Sequence, residues 1–203
     1  MRTVYDPVMP KAKSKARRRP LGAADWEEAA LRALATGGPV AVSVEAIART
    51  LGATKGSFYW HFADREALLS AALLRWEAQY TDRVIADLER IAEPRKRLTR
   101  LFLAANRPND AWRVHVALSA STEEPVIART LARVSRRRIS YLEACYRSMG
   151  YSAARAHGHA LHAYVAYLGF LHLGVECPAE LPRGRRLSAY VATLLEALIP
   201  PRR

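Results

Sequence analysis

The amino-acid sequence predicts an all-α protein of about nine helices, and three observations support this prediction. Apolar residues recur three and four positions apart along most of the 203-residue chain, which is the spacing of one face of a helix. Glycine and proline stand at the breaks between these periodic stretches, where helices end. No stretch of the sequence shows the strict alternation of a half-buried strand. Because half of the residues are hydrophobic, the chain can bury a substantial core.

The first predicted helix runs from Asp25 to Thr36. It ends at the Gly-Gly-Pro sequence of residues 37–39, which does not continue a helix. One face of this helix is apolar and should pack against its neighbours. That face consists of Trp26, Ala29, Ala30, Ala33 and Leu34.

The stretch from Ser43 to Phe62 predicts a helix, a tight turn and a second helix. Ser43 is a good cap for the first of these helices, because its hydroxyl can accept a free backbone N–H of the first turn. Gly52 follows the last apolar residue, where a left-handed backbone conformation is favoured, and Thr54 caps the next helix after a very short connection. Phe58 and Phe62 are four residues apart and should point into the core. The apolar stripe of the first helix is formed by Val44, Ile47, Ala48 and Leu51.

The outer side of the second helix carries unusual residues for a surface. An ordinary surface helix has Glu, Lys and Ala there, whereas a row of aromatic rings is unfavourable unless something covers it. A DNA groove is one such cover; the alternative is that Tyr59 and Trp60 fold back into the core. The residues predicted on this outer side are Lys55, Ser57, Tyr59, Trp60 and His61.

A fourth helix is predicted to begin after Asp64, with Glu66 near its positive end. Its apolar stripe is long, so we expect this helix to link the N-terminal unit to the rest of the chain. The stripe consists of Leu68, Leu69, Ala72, Leu73, Trp76 and Tyr80. Five further helices are predicted from Pro94 to Ala105, from about Trp112 to Leu118, from Glu123 to about Met149, from Ser152 to Leu173 and from Leu187 to Leu198.

The net charge of +13 points to a polyanionic partner, most simply DNA, although RNA or an anionic membrane surface would also fit. Residues 21–75 are close to balanced in charge, so residues 1–20 supply most of the N-terminal positive charge as a basic arm. Such an arm is either a solvated, disordered tail or a segment that orders on DNA, and the two states are compatible. The basic residues of the arm are Lys11, Lys13, Lys15, Arg17, Arg18 and Arg19.

Several classes of protein do not fit the sequence. No apolar run approaches the roughly 18 residues of a membrane span, and the N-terminus lacks the apolar stretch of a secretory signal. Cys145 and Cys177 are the only cysteines and have no Cys-x-x-Cys spacing, so we expect reduced thiols in a cytoplasmic protein. No Ser/His/Asp set, phosphate loop, dinucleotide fingerprint or metal motif indicates an enzyme.

The pattern from Trp26 to Leu69, centred on Ala-Thr-Lys-Gly-Ser-Phe-Tyr-Trp-His-Phe-Ala-Asp-Arg-Glu-Ala-Leu-Leu, resembles the DNA-binding headpiece of the TetR (tetracycline-repressor) family of bacterial transcriptional regulators. The resemblance implies a three-helix headpiece at residues 21–67 and a helical ligand-binding and dimerisation body at residues 68–203. It also implies a homodimer formed through the two long C-terminal helices; the alternative is that both helices pack within one subunit. The expected function is that of a sequence-specific repressor, released from a palindromic DNA operator by a small hydrophobic effector.

The resemblance also assigns roles to individual residues. It places Lys55, Gly56 and Ser57 at the base-reading start of the recognition helix, which agrees with how the first residues of such helices meet the major groove. Trp60 is suited to packing on a thymine methyl group. Glu45 departs from the basic residue of some family members, and we expect it to serve the helix dipole and to face away from DNA. The phosphate contacts implied are Tyr59, His61 and Arg65. Thr54 and Ser43 are helix caps first, with phosphate contact as a secondary role, and for Ser43 we favour capping alone. The charge of the arm, with Lys15, Arg17, Arg18 and Arg19, suits it to cross phosphates or to enter the minor groove.

The body offers candidate ligand contacts, although an ordinary core or dimer contact fits each of them better when it is taken singly. An aromatic-rich helical body is compatible with a hydrophobic ligand of several rings or with an acyl chain. The candidates are Trp76, Tyr80, Phe102, Trp112, His115, Tyr141, Tyr164, Tyr167 and Phe170. The histidines at 157, 159, 162 and 172 do not form a recognisable ligand set, so neither a metal nor a cofactor is predicted. The arginines at 136–138 are expected on a solvated face, with an acidic ligand as the alternative.

Two other functions compete with the ligand-responsive regulator. One is a DNA-binding protein without a small-molecule inducer, of the nucleoid type or controlled by a partner protein. The other is an enzyme with a helical active site, for which the sequence holds no supporting motif. Operator binding that a compound relieves would separate the regulator from both.

Overall fold

A computed structural model describes residues 21–106 and 110–199 of the chain, and these residues form nine helices and no strand. The all-α prediction is therefore confirmed. The basic arm, with Lys15, Arg17, Arg18 and Arg19, lies outside the described residues. The helices are α1 (Ala23–Gly37), α2 (Val44–Leu51), α3 (Lys55–Tyr59), α4 (Arg65–Glu77, Ala78–Asp82 and Arg83–Glu89 in succession), α5 (Pro94–Ala105), α6 (Asp110–Ser119), α7 (Pro125–Ser148), α8 (Ala153–Glu176) and α9 (Arg185–Leu198).

The predicted caps define the helix ends of the N-terminal unit. The Ser43 hydroxyl accepts the Ala46 N–H at 3.2 Å, and the Asp64 carboxylate accepts the Ala67 N–H at 2.8 Å. Gly52 adopts the left-handed conformation at φ 64°, as expected for the residue that ends α2. These short-range interactions fix the turn between α2 and α3.

Helix α3 is shorter than the sequence indicates, because it ends at Tyr59 and leaves Trp60 and His61 in the following turn. The Phe58 carbonyl accepts the N–H groups of both His61 and Phe62, at 2.9 and 3.0 Å. Such shared bonds are common at helix termini. The recognition segment is therefore a single helical turn followed by a tight bend.

Helix α4 is the long connecting element that the sequence predicts. Its three segments follow one another with helical backbone angles throughout, and the middle one, Ala78–Asp82, is π-helical. A π-helical turn leaves part of the regular backbone bonding unmade and is frequent at functional sites. This turn follows residue 67, where the headpiece is predicted to end, and lies in the body part of α4.

The headpiece core continues into the body without a break. Trp26, Phe58 and Trp76 belong to the same buried cluster as Leu118 of α6 and Val134 of α7. The predicted boundary between headpiece and body, between residues 67 and 68, therefore falls inside α4 and within this shared core. A second cluster, formed by α5, α7, α8 and α9, fills the rest of the body.

No helix within the described residues is long and apolar enough to cross a membrane.

Candidate nucleic-acid interface and body cavity

The side of α2 and α3 away from the core is the candidate nucleic-acid interface. Phe58 is fully buried and Phe62 nearly so, whereas Tyr59 is 55% exposed and Trp60 88% exposed. The alternative in which Tyr59 and Trp60 fold back into the core is therefore wrong. We use the name recognition surface for Glu45, Arg49, Lys55, Gly56, Ser57, Tyr59, Trp60 and His61.

The buried side of α3 holds this surface rigidly. The Phe58 ring packs edge-on against Trp26, with ring centroids 5.4 Å apart, and stacks with Phe62 at 5.7 Å. The Thr54 hydroxyl accepts the Ser57 N–H at 3.2 Å, which confirms the predicted cap. A five-residue helix is too short to be stable alone, so these tertiary contacts fix its orientation.

Glu45 and Lys55 form an ion pair across the helix-turn-helix. The Lys55 ammonium lies 2.6 Å from the Glu45 carboxylate, and this hydrogen bond lowers the pKa of Glu45 and raises that of Lys55. Both side chains are largely exposed. Glu45 does lie in the first turn of α2, where it favours the helix dipole, but it lies beside Lys55 instead of facing away from the recognition surface. An approaching guanine must therefore compete with Glu45 for the lysine.

Gly56 has no structural need to be glycine. A Cβ atom built there meets only the Thr54 hydroxyl oxygen, at an ordinary 3.8 Å, and its backbone is not left-handed. Glycine is unfavourable in a helix by about 1 kcal/mol relative to alanine, so the fold alone favours a larger residue. A close approach of another molecule is the kind of constraint that explains it.

Arg65 is occupied by contacts within the subunit. Its guanidinium donates to the carbonyl oxygens of Val42 at 2.8 Å and Pro39 at 2.7 Å, and lies 3.5 Å from the Glu124 carboxylate. These bonds tie the start of α4 to the turn before α2 and to the start of α7. The structure thus gives Arg65 a positioning role, and its contact with phosphate stays a prediction.

Arg49 is a candidate that the sequence analysis omitted. It is exposed on α2, one helical turn after Glu45, and has no ion-pair partner among the described residues. The sequence could have indicated Arg49, because it lies four residues after Glu45 and residues four apart share a helix face. Its charge is suited to a phosphate beside the recognition surface.

Comparisons with known proteins agree with this geometry. Residues 28–72 match the family model of bacterial regulatory proteins of the tetR family. The N-terminal unit of the chain is therefore similar to that of bacterial regulatory proteins of the tetR family. No curated protein matches the sequence.

Solved structures of TetR-like regulators share the fold over most of their length. A transcriptional regulator from Rhodococcus sp. Rha1 is 17% identical, with a TM-score of 0.74 over 88% of this chain and 96% of that one. A regulator from Saccharomonospora viridis in complex with choline is 25% identical, with a TM-score of 0.69 over 87% and 94%. FadR from Bacillus subtilis in complex with stearoyl-CoA is 16% identical, with a TM-score of 0.65 over 89% and 99%.

The body of the chain contains a cavity of about 190 Å³ between α4, α5, α6, α7 and α8. Six of the nine residues predicted as ligand contacts line it: Tyr80, Phe102, Trp112, Tyr141, Tyr164 and Tyr167. Trp76 and His115 are buried together in the shared core, with ring centroids 5.9 Å apart, and do not line the cavity. Phe170 packs edge-on against Trp112 and faces a second, open groove.

Arg138 is the cavity residue that the sequence analysis misplaced, because it is not on a solvated face. Its guanidinium lies 5.5 Å from the Trp76 ring and 5.8 Å from the Tyr167 ring, and it lines the cavity. Helical periodicity could have shown this, since Arg138 lies four residues after the buried Val134 and four before the buried Leu142.

The histidines of α8 have partners other than a metal. His157 lies 3.2 Å from the Glu143 carboxylate, and the His159 ring packs against the rings of Tyr146 and Tyr151. Within residues 21–106 and 110–199, no group of three His, Cys, Asp or Glu residues is arranged to hold a metal ion. Cys145 is buried and Cys177 exposed, each as a free thiol.

His115 makes the stability of the protein dependent on pH. It is only 3% exposed, and burial, with smaller contributions from Arg138 and His172, lowers its pKa to about 3. An unfolded histidine titrates near 6.5, so between pH 6.5 and 3 the unfolded chain binds the extra proton and stability falls as pH falls. At pH 5 this group should cost about 2 kcal/mol of unfolding free energy relative to pH 7.

Denaturant unfolding at pH 7 and pH 5 measures this effect. Between pH 7 and pH 5, the unfolding free energy of the wild type should fall by about 2 kcal/mol more than that of a His115→Gln variant. His61→Gln, at an exposed position of the turn after α3, is the matched control and should behave as the wild type. Equal pH dependence of the wild type and His115→Gln would contradict the burial of a neutral imidazole.

Proposed function

We propose that the chain is a homodimeric, sequence-specific regulator that represses transcription and is released from a palindromic operator by a small ligand bound in the body cavity. The observation that carries the DNA-binding part is the recognition surface. Aromatic and basic side chains are exposed there on a helix whose opposite side is fully anchored. Exposed rings of this kind need a partner, and the major groove admits one helix.

The proposed contacts divide into base reading and positioning. Lys55 is suited to donate to guanine acceptors, Ser57 to pair with several bases, and Trp60 to pack on a thymine methyl group. Gly56 allows the backbone to approach the bases closely. Phosphate contacts are assigned to Tyr59, His61 and Arg49, to Arg65 and the capping residues Ser43 and Thr54 in a secondary role, and to Lys15, Arg17, Arg18 and Arg19.

Helix α4 is the proposed route between ligand and DNA. Asp64 caps it directly after the recognition segment, and its π-helical turn contributes Tyr80 and Thr81 to the cavity wall. A ligand that prefers one position of this turn will also prefer one orientation of the headpiece. The functional division is then an arm (residues 1–20), a DNA-binding domain (21–67) and a regulatory and dimerisation domain (68–203), with α4 shared between the last two.

A stripe on α8 supports the homodimer. Leu161 and Val165 are 45% and 56% exposed on the face that also carries Gly158 and Gly169. A Cβ atom built at either glycine meets nothing within 4 Å, so neither glycine is required by packing inside the subunit. An exposed apolar stripe flanked by glycines lets a second helix approach closely, and two copies of it are self-complementary about a two-fold axis. Helix α9 packs beside α8 and is proposed to complete the interface.

The ligand-responsive part rests on the cavity and on the family. TetR-like structures have been determined with choline and with stearoyl-CoA, so related bodies hold chemically different small molecules. In this chain the cavity is lined by aromatic and aliphatic side chains of α4 to α8. Small-molecule sites are concave and mostly apolar, with a few polar groups that orient the ligand.

Selection of genomic DNA fragments with the purified protein, followed by footprinting at physiological salt, tests the proposal. The expected result is a protected near-palindrome with half-sites about one helical turn apart. Diffuse binding that falls steeply with salt, and protects no defined site, would instead favour the DNA-binding protein without an inducer.

A further inference from the structure

Among the described residues that line the body cavity, Arg138 carries the single formal charge, and none is Asp, Glu or Lys. Its neighbours on α7 have partners, since Arg133 pairs with Glu77 and Arg137 with Asp82. Arg138 has no carboxylate within 4.0 Å among the described residues. Arg138 is half-buried beside aromatic rings without a carboxylate next to it, so an anionic ligand would be favoured there.

One edge of the Arg138 guanidinium is already in use. Its Nε donates to the Thr81 hydroxyl at 3.0 Å and its Nη2 to the Tyr80 carbonyl at 3.2 Å, both in the π-helical turn of α4. Its Nη1 is buried and has no hydrogen-bond partner in the described part of the chain. The guanidinium is therefore held in place, and its one nitrogen without a hydrogen bond is closed off from solvent.

A second donor lies one helical turn further along α7. The Tyr141 hydroxyl is buried and makes no hydrogen bond of normal geometry, and the acceptor beside it is the weakly accepting Cys145 thiol. Burial, with that thiol second, raises the pKa of Tyr141, so the hydroxyl stays protonated. Residues three apart on a helix share a face, and both residues line the cavity. Unsatisfied buried donors in a native protein call for an explanation, and a ligand that accepts from both provides one.

The size and walls of the cavity restrict the rest of the ligand. A cavity of 150 Å³ accommodates a benzene molecule, so about 190 Å³ corresponds to one ring with a short substituent. The walls are largely aromatic, with Phe102, Trp112, Tyr164 and Tyr167 among them, and rings pack favourably edge-to-face against such walls. A long acyl chain exceeds this volume, and a cation would be repelled by Arg138.

We propose that the effector is a small aromatic monocarboxylate. Its carboxylate pairs with Nη1 of Arg138 and accepts a hydrogen bond from the Tyr141 hydroxyl, and its ring lies among the aromatic walls of the cavity. This inference rests on the proposed function, because it names the effector class of the same cavity. It also gives Arg138 a role in coupling, since the guanidinium that holds the ligand is the one that ties α7 to α4.

Calorimetric titration of the full chain with phenylacetate, benzoate and 3-phenylpropionate tests the ligand class. The neutral amide 2-phenylacetamide has the same shape as phenylacetate and should bind the wild type about 10- to 100-fold more weakly, because it forms no charge-assisted pair. Choline serves as the cationic control and should not bind. Equal affinity for the amide and the acid, or no binding of any of the three acids to a protein that still holds its operator, would overturn the proposal.

Two substitutions locate the carboxylate. Arg138→Gln should weaken phenylacetate binding by about 10- to 100-fold, whereas Arg137→Gln, at the adjacent exposed position, should bind as the wild type. Tyr141→Phe removes only one oxygen atom and should weaken binding by about 3- to 10-fold, which keeps the test decisive if Arg138→Gln fails to fold. Wild-type affinity in folded Arg138→Gln or in Tyr141→Phe would contradict the assignment.

Operator binding, measured in parallel, separates this inference from the function it rests on. If the acids bind in the predicted order but leave the operator complex intact, ligand-controlled release is wrong and the ligand class stands. If the protein binds the operator and other compounds release it, while the acids do not bind, the proposed regulatory function stands and the proposed ligand class is wrong.

Discussion

A Val165→Arg variant is expected to be monomeric and to lose operator binding while it keeps its helical fold. Val165 is 56% exposed on α8, one helical turn from Leu161, so an arginine there costs little within the subunit. At a two-fold interface the same residue occurs in both subunits, and two guanidinium groups would be buried close together without counter-charges. A monomer engages a single half-site, and losing the second should reduce operator affinity by about 100-fold or more.

Analytical ultracentrifugation and gel-shift titration measure the two effects. Leu103→Arg is the matched control, because Leu103 is 41% exposed on α5, outside the proposed interface helices α8 and α9. This control should remain dimeric and bind the operator as the wild type. A dimeric Val165→Arg variant with unchanged affinity would exclude the Leu161–Val165 stripe as the subunit interface.

Lys55→Ala and Trp60→Ala should each weaken operator binding without destabilising the protein. Both side chains are exposed, so their removal leaves the core that anchors α3 intact. A lysine bonded to guanine favours the correct base pair over the others by about 10-fold or more in affinity. In a dimer the variant loses this contact once in each half-site. Lys55→Ala should also relax the preference for that base pair, whereas a lysine bound only to phosphate would weaken all sequences alike.

Glu45→Gln is the informative companion to Lys55→Ala. Removal of the Glu45 charge frees Lys55 from its ion pair and removes a negative group from the recognition surface. The affinity of the variant for the operator should therefore stay the same or increase. The logarithm of this affinity should fall more steeply with the logarithm of the salt concentration than in the wild type. Gel-shift titrations at several salt concentrations provide both quantities, and a strong loss of binding would mean that Glu45 itself contacts the bases.

The features predicted correctly from the sequence are local ones. Ser43, Gly52, Thr54 and Asp64 act on backbone groups within three or four residues, so their roles follow from residue type and spacing. The exposure of Trp60 also follows from helical periodicity, because the buried positions around it are taken by phenylalanines.

The features that were missed depend on contacts between distant elements. The partner of Glu45 lies ten residues further along the chain, on another helix, and the carbonyl partners of Arg65 precede it by more than twenty residues. Arg138 stands in a run of three arginines that looks solvated, and only its bonds to the π-helical turn of α4 show its place in the cavity. The sequence analysis identified most of the aromatic residues around the cavity. It did not show the volume of the cavity or the presence of a charged side chain in its wall.

Lys55 is proposed to read a guanine in each half-site of a palindromic operator. Protection of guanine N7 atoms from methylation, compared between the wild type and Lys55→Ala at saturating protein, tests it most directly. We expect the wild type to protect guanines in two symmetric half-sites, and Lys55→Ala to lose protection at one guanine in each while the rest of the footprint remains. An unchanged pattern of protected guanines in the variant would contradict the claim and would place base reading elsewhere in the protein.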